Sequence, residues 1–352
     1  MGKSNRAIFR GPHNEKGFCY GDDFLLCASE RHLKEFGKIL EEAYDVRMEA
    51  LIGFEPHLGT EMKILNRMVY IDRDSDRILV EADKRHIPGL VEALGLQDAK
   101  VAASPRTKLT EPEVKARDSS PLLTGEQVTL FRSCTMRAKY VEHDRADISE
   151  AVKCLSQFMS APREGHLAQL KRLVRFLKQQ PRHALEFVRQ AECGIETSTD
   201  SDWAGDIASR RSTSGVAVMR GRHLIRHTCN LQTVVALSSA EAEFYALTKG
   251  AALSLGVQSQ LRDWGVELAI TMHTDSSSGM AFGNRRGLGK MRHMQTRFLW
   301  LQEHVASGKL KVRKVAGVLN VADVLTKAHS GEHMLQVCRQ LGQYAFFGFD
   351  KA

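Results

Sequence analysis

Residues 195–228, IETSTDSDWAGDIASRRSTSGVAVMRGRHLIRHT, hold three runs of strand composition, at 195–200, 214–219 and 223–228. β-Branched residues recur in each run and suit a pleated, half-buried surface. Arg220-Gly221-Arg222 supplies a turn between the last two. Just downstream, Ser238-Ser239 can cap a long helix running to about Trp264, with Glu241 and Glu243 in its first turns. The pattern then alternates: a strand over 268–274, a short helix over 276–283, a helix over 294–307, a strand over 310–315, and a final helix opening at 322–327. This β-β-β-α-β-α-β-α order predicts an α/β unit, a mixed sheet with helices on its faces.

Four carboxylates fall at strand ends and helix starts of that order. Asp200 ends the first strand, Glu243 lies near the start of the long helix, Asp275 follows the fourth strand, and Asp323 starts the last helix. Such positions can converge on one sheet edge. Acids gathered there repel and raise one another's pKa unless cations lie between them. Mg²⁺ at such a site would bridge a scissile phosphate, activate a water and stabilise the leaving oxygen. Some of these acids can instead be helix caps or solvated surface groups, and Asp323 taken alone is equally well one of these.

Three separated motifs in order carry a resemblance: Thr199-Asp200-Ser201-Asp202-Trp203-Ala204-Gly205-Asp206, Arg211-Ser212-Thr213-Ser214-Gly215, and Val235-Ala236-Leu237-Ser238-Ser239-Ala240-Glu241-Ala242-Glu243-Phe244. With the closing Ala322-Asp323-Val324-Leu325-Thr326-Lys327, they resemble the ribonuclease H domain of copia-type retrotransposon polyproteins over roughly 190–330. The resemblance implies a five-stranded mixed sheet and endonucleolytic, Mg²⁺-dependent cleavage of RNA paired to DNA, with two ions and Mn²⁺ as a substitute. By motif position the metal ligands are Asp200, Glu243, Asp275 and Asp323. Asp202 and Glu241 are close rivals, set aside for the T-D-S and A-E-aromatic settings of Asp200 and Glu243.

Arg285, Arg286, Lys290, Arg292 and His293 form a basic, glycine-bearing stretch that can hold phosphates of an RNA/DNA hybrid; the plain alternative is a solvated surface turn. His293 is a candidate to protonate a leaving group or assist product release. Trp203 and Trp300 read as packing residues.

In the front half, Tyr20-Gly21-Asp22-Asp23 sits between two short apolar runs and reads as a tight hairpin. A helix is expected over 29–45, a hairpin over 62–80 and a helix over 84–96. Pro105, Pro112 and Pro121 mark 103–125 as a linker or surface loop. A helical connection over 126–189 ends with Leu167, Leu170, Leu173, Val174 and Leu177 on one face and Lys171, Arg172, Arg175 and Lys178 on the other. Lys171 and Arg175 are the candidates there for contact with a duplex.

The Tyr20–Asp23 hairpin resembles the catalytic hairpin of reverse transcriptases. Residues 145–178 resemble the segment joining polymerase to ribonuclease H in the same polyproteins. The reading is therefore an α+β palm and thumb remnant over 1–102, then the connection, the ribonuclease H-like domain over 190–330 and a tail over 331–352 with a short helix at 332–341. Residues 1–19 contain no Asp. Asp22 and Asp23 are weak metal ligands at most, and no independent polymerase activity is expected unless another polypeptide supplies fingers and palm.

The net charge of +8 fits a polyanionic partner. Seven scattered cysteines without a C-x-x-C pair argue against a disulfide framework or a zinc knuckle. No signal-peptide pattern or membrane-length apolar run occurs, and the cytoplasm, with the nucleus as alternative, is the expected location. The rival functional reading is a remnant with an inert site that only binds nucleic acid.

Overall fold

The computed structural model describes residues 1–289 and 298–345. Lys290, Arg292 and His293 lie outside the described residues.

Three antiparallel strands open the chain: β1 (Ile8–Arg10), β2 (Lys16–Tyr20) and β3 (Asp23–Cys27). Gly21, at φ 61°, and Asp22 form the two-residue turn that closes the Tyr20–Asp23 pair. Helix α1 (Glu30–Ala43) follows, capped by Ser29. Next come β4 (Glu61–Ile64), β5 (Arg67–Asp72), β6 (Arg77–Glu81) and α2 (His86–Ala93).

The 103–125 stretch departs from the expected linker. It contains α3 (Glu111–Ser119), with Pro112 in the first turn, where its missing N–H costs nothing, and a capping box between Thr110 and Glu113. Upstream of it, Arg106 is mostly buried and paired with Glu150. Helices α4 (Glu126–Glu142), α5 (Ser149–Ser156) and α6 (Glu164–Gln179) then pack with α2 around Leu90, Phe131, Val152, Leu170, Leu173 and Leu177.

Residues 183–188, expected at the end of the helical connection, form strand β7 (His183–Val188) instead. It sits in a second five-stranded sheet, beside β6. The strands of residues 1–102 are shared between two sheets. The first three strands form a separate small sheet, and β4 to β6 pair into the connection.

The α/β unit consists of β8 (Ile195–Asp202), β9 (Thr213–Arg220), β10 (His223–Leu231), α7 (Ser239–Asp263), β11 (Ile270–Thr274), α8 (Ser277–Asn284), α9 (Trp300–Ala306) and β12 (Leu310–Lys314). Its sheet order is β10-β9-β8-β11-β12, antiparallel through β8 and parallel from β8 to β12. This is the five-stranded mixed sheet that the ribonuclease H resemblance implies.

Alternation along β9 buries both faces. Val216 and Val218 meet α7, α8 and α9 through Phe244, Leu247, Phe282 and Leu301. Ala217 and Met219 face the opposite layer. That layer corrects two expectations. Residues 322–327 do not open a helix; Asp323–Leu325 is one 3-10 turn, and the last helix is α10 (Gly331–Gln340), capped by Ser330, where a short helix is expected over 332–341. Nor is 331–345 a free tail. Met334, Val337 and Leu341 pack under the sheet with Val324 and Leu325, and β13 (Gln343–Ala345) pairs with β7. No helix among the described residues is long and apolar enough to cross a membrane.

Candidate metal and nucleic-acid site

Strand alternation sends Thr197, Thr199 and Ser201 of β8 toward α7. Gly250 lets that helix lie close: a Cβ there would meet Thr199 Cγ2 at 2.6 Å. Asp200 takes the other direction. Its carboxylate is 2% exposed and accepts from Thr326 Oγ1, with Lys327 Nζ 3.3 Å away. Burial raises the Asp200 pKa, and Lys327 offsets part of that.

Glu243, in the second turn of α7, is oriented by β8. Ser201 donates to its Oε1 from the backbone N at 3.2 Å and from Oγ at 2.7 Å. Burial and the Asp200 charge push the Glu243 carboxyl up to about 8. Asp275 follows β11 directly, ahead of Ser276, which caps α8.

Oxygens of Asp200, Glu243 and Asp275 all lie within 4.8 Å of one another. Three carboxylate groups at that spacing, two of them buried, are a donor set that suits a hard divalent cation and is poorly stable without one.

Asp323 is set apart from this triad. Lys327 Nζ donates to its Oδ1 at 2.8 Å, and His329 Nε2 lies 3.0 Å from its Oδ2. Burial would raise its pKa, but the hydrogen bonds from His329 and Lys327 hold the carboxylate down at about 2. Lys327, bridging Asp200 and Asp323, stays charged above its ordinary range despite its own partial burial. The expected four-acid set is thus a triad plus a fourth acid reached through an ammonium group. Lys327, Thr326 and His329 were missed as site residues. The i,i+4 spacing of Asp323 and Lys327 was the available clue.

Glu241 has a separate task. Its Oε2 accepts from Leu237 N at 2.9 Å and its Oε1 from the Tyr245 hydroxyl, so it secures the start of α7. Asp202, partly buried, feels Lys327 and Lys153 rather than joining the triad.

The expected nucleic-acid contacts divide sharply. Arg286 is exposed. Arg285 folds back: its guanidinium lies 4.1 Å over the Phe282 ring and donates to Leu288 O at 2.7 Å. On α6, Lys171 is exposed, but Arg175 donates to Lys100 O, and Arg172 donates to Ser104 Oγ at 3.1 Å. Lys178 donates to the carbonyls of Leu96, Gln97 and Ala99. Most of the basic helix face therefore anchors 96–104, because long cationic side chains can reach the polar groups of a loop beside a helix.

Asp22 is exposed in its hairpin turn, Asp23 is exposed beside it, and neither joins a metal-spaced grouping among the described residues. Trp203 is half-exposed, contrary to the packing expectation, and is tethered by Nε1 donating to Ala236 O at 3.0 Å.

No protein-family model matches the chain. It is 25% identical over 327 residues to the Retrovirus-related Pol polyprotein from transposon RE2 of Arabidopsis thaliana, covering 92% of this chain and 21% of that protein. The corresponding polyprotein from transposon RE1, also of Arabidopsis thaliana, is 29% identical over 260 residues, 70% of this chain and 17% of that protein. An uncharacterized mitochondrial protein of the same plant, AtMg00810, is 35% identical over 246 residues, covering 69% of this chain and 95% of the relative. Among solved structures, the N-terminal RNase H domain of a Mycobacterium tuberculosis protein overlays at a TM-score of 0.26 with 14% identity, over 42% of this chain and 97% of that one. So loose an overlay adds nothing to the sheet topology. The chain spans about a fifth of the length of the polyproteins it matches. Both polyprotein matches extend over most of the chain, whose sequence is thus similar to the retrovirus-related Pol polyproteins of copia-type transposons.

Proposed function

We propose that residues 190–330 hydrolyse the RNA strand of RNA/DNA hybrids endonucleolytically, with Mg²⁺ as the resident ion and Mn²⁺ as a substitute. The observation that carries this reading is the convergence of Asp200, Glu243 and Asp275 at the carboxyl ends of the neighbouring strands β8 and β11 and at the adjoining start of α7. Mg²⁺ held by these oxygens would supply phosphate neutralisation and activation of the attacking water.

The chain's own residues prepare that site. Ser201 aims Glu243, Thr326 holds Asp200, and Lys327 keeps Asp323 charged and close to Asp200. Arg286 and Lys171 are the exposed cations among the described candidates for phosphate contact. Selectivity for the RNA strand rests on 2′-hydroxyls and duplex shape rather than on base sequence. Asp22 and Asp23 are assigned no step, and the reverse-transcriptase-like region is proposed to be inactive in this chain.

The test is a labelled RNA/DNA hybrid incubated with the purified protein and Mg²⁺, beside Asp275→Asn. Cleavage confined to the RNA strand, lost with EDTA and in the variant, is the expected result. Intact hybrid binding without cleavage, in Mg²⁺ and in Mn²⁺, would overturn it in favour of a binding remnant.

A further inference from the structure

Asp323, His329 and His333 form a second group of ligand atoms, all within 4.8 Å of one another. His329 Nε2 lies 3.0 Å from Asp323 Oδ2, and the two imidazole rings are 4.7 Å apart at an interplanar angle of 36°. All three side chains are partly buried. Ser330, whose side chain accepts from His333 N, starts α10 between the two histidines and fixes their spacing.

This donor set differs in kind from the all-oxygen triad. Two imidazoles and one carboxylate favour a borderline ion over Mg²⁺, and H-x-x-x-H is a recurrent zinc-ligand spacing. A tetrahedral shell with bonds of about 2.1 Å brings neighbouring donors to roughly 3.4 Å, so side-chain rotations of ~1 Å close the site around an ion.

We propose that Asp323, His329 and His333 bind one Zn²⁺, and that the bound ion shuts off the neighbouring hydrolytic site by taking Asp323 out of its contact with Lys327. Asp323 and Asp200 share the Lys327 ammonium, at 2.8 and 3.3 Å. An ion on Asp323 removes one of those two anchors and repels the ammonium itself. The inhibitory half of this inference rests on the ribonuclease reading; the binding half does not.

The test uses the full chain with Zn²⁺ and with Co²⁺ as a spectroscopic probe. One equivalent of Zn²⁺ is expected to bind by calorimetry, with tetrahedral Co²⁺ absorbance, and His333→Asn should weaken binding at least tenfold. X-ray absorption of the wild-type zinc form should read imidazole nitrogens, a measurement that does not depend on a variant folding. Stoichiometric Zn²⁺ should suppress Mg²⁺-dependent hybrid cleavage in the wild type, while His333→Asn should cleave normally and need at least tenfold more Zn²⁺.

An all-oxygen zinc shell, or equal Zn²⁺ affinity in His333→Asn, overturns the site. Equal zinc inhibition in both proteins, or binding without inhibition of an active enzyme, overturns the switch. Zinc binding that depends on His333, in a protein that cleaves nothing, supports the site and sinks the ribonuclease reading instead.

Discussion

Gly215 stands directly opposite Asp200 in the β8–β9 ladder, and its lack of a side chain admits the turn that carries Thr326. A Cβ on Gly215 would lie 2.8 Å from Ala322 O, 2.7 Å from Thr326 Cγ2 and 2.9 Å from Leu325 Cβ. The first of these is backbone and cannot rotate away. Gly215→Ala is therefore expected to cost about 1–3 kcal/mol in urea unfolding, in the manner of an overpacked core. It should also lower hybrid cleavage, because the displaced turn holds Thr326 on Asp200. An unchanged midpoint would show that the turn gives way freely.

Lys178 and Arg175 look like a phosphate track in the sequence but are engaged with loop carbonyls. Lys178→Met should destabilise the protein by about 1 kcal/mol through the lost charge-assisted hydrogen bonds. Hybrid affinity should stay within twofold of wild type. A drop in affinity at constant stability would restore the nucleic-acid role.

Two buried histidines predict acid sensitivity. Burial lowers His183 to about 3, with the Arg145 charge adding to it, and lowers His227 to about 4. The unfolded chain binds protons at these side chains near pH 6.5 while the folded chain does not. Their neutral burial is thus without penalty above about pH 6.5, and stability is lost as pH falls from there toward 4. Urea midpoints between pH 7.5 and 4.5 should fall less steeply in His227→Gln than in the wild type. Parallel slopes would contradict the assignment.

Asp263 gathers the start of the chain. Its carboxylate accepts from the backbone N–H groups of Lys3, Ser4 and Asn5 at 2.8, 3.0 and 3.0 Å. Asp263→Ala should speed hydrogen exchange at those three amides while leaving the β8–β9 ladder protected. Unchanged exchange at residues 3–5 would mean that the carboxylate does not hold the first strand's approach to α7.

Much of the α/β unit is legible locally. Ser238 at a helix start, β-branched runs at strand spacing and the Arg220–Arg222 turn each report short-range preferences, and their order predicts the mixed sheet. Strand β7 was missed because residues 183–188 gain strand character only by pairing with β6 and β13, far away in sequence. The sequence at Asp323 predicts a helix start, but Asp323–Leu325 makes one 3-10 turn, with no side-chain cap at Ala322.

The sequence alone placed Glu243 near the start of a helix and Asp275 just after a strand, since alternation and capping act within a few residues. Only the tertiary structure decided which carboxylates share an oxygen shell and which meet a cation. Lys327 reaches Asp200 across 127 positions, and Gly215 must be bare for the turn between them to approach. Arg175, Lys178 and Arg285 are as basic on paper as any phosphate ligand. Their roles were settled by the nearest unpaired carbonyl or aromatic ring, which no local spacing encodes.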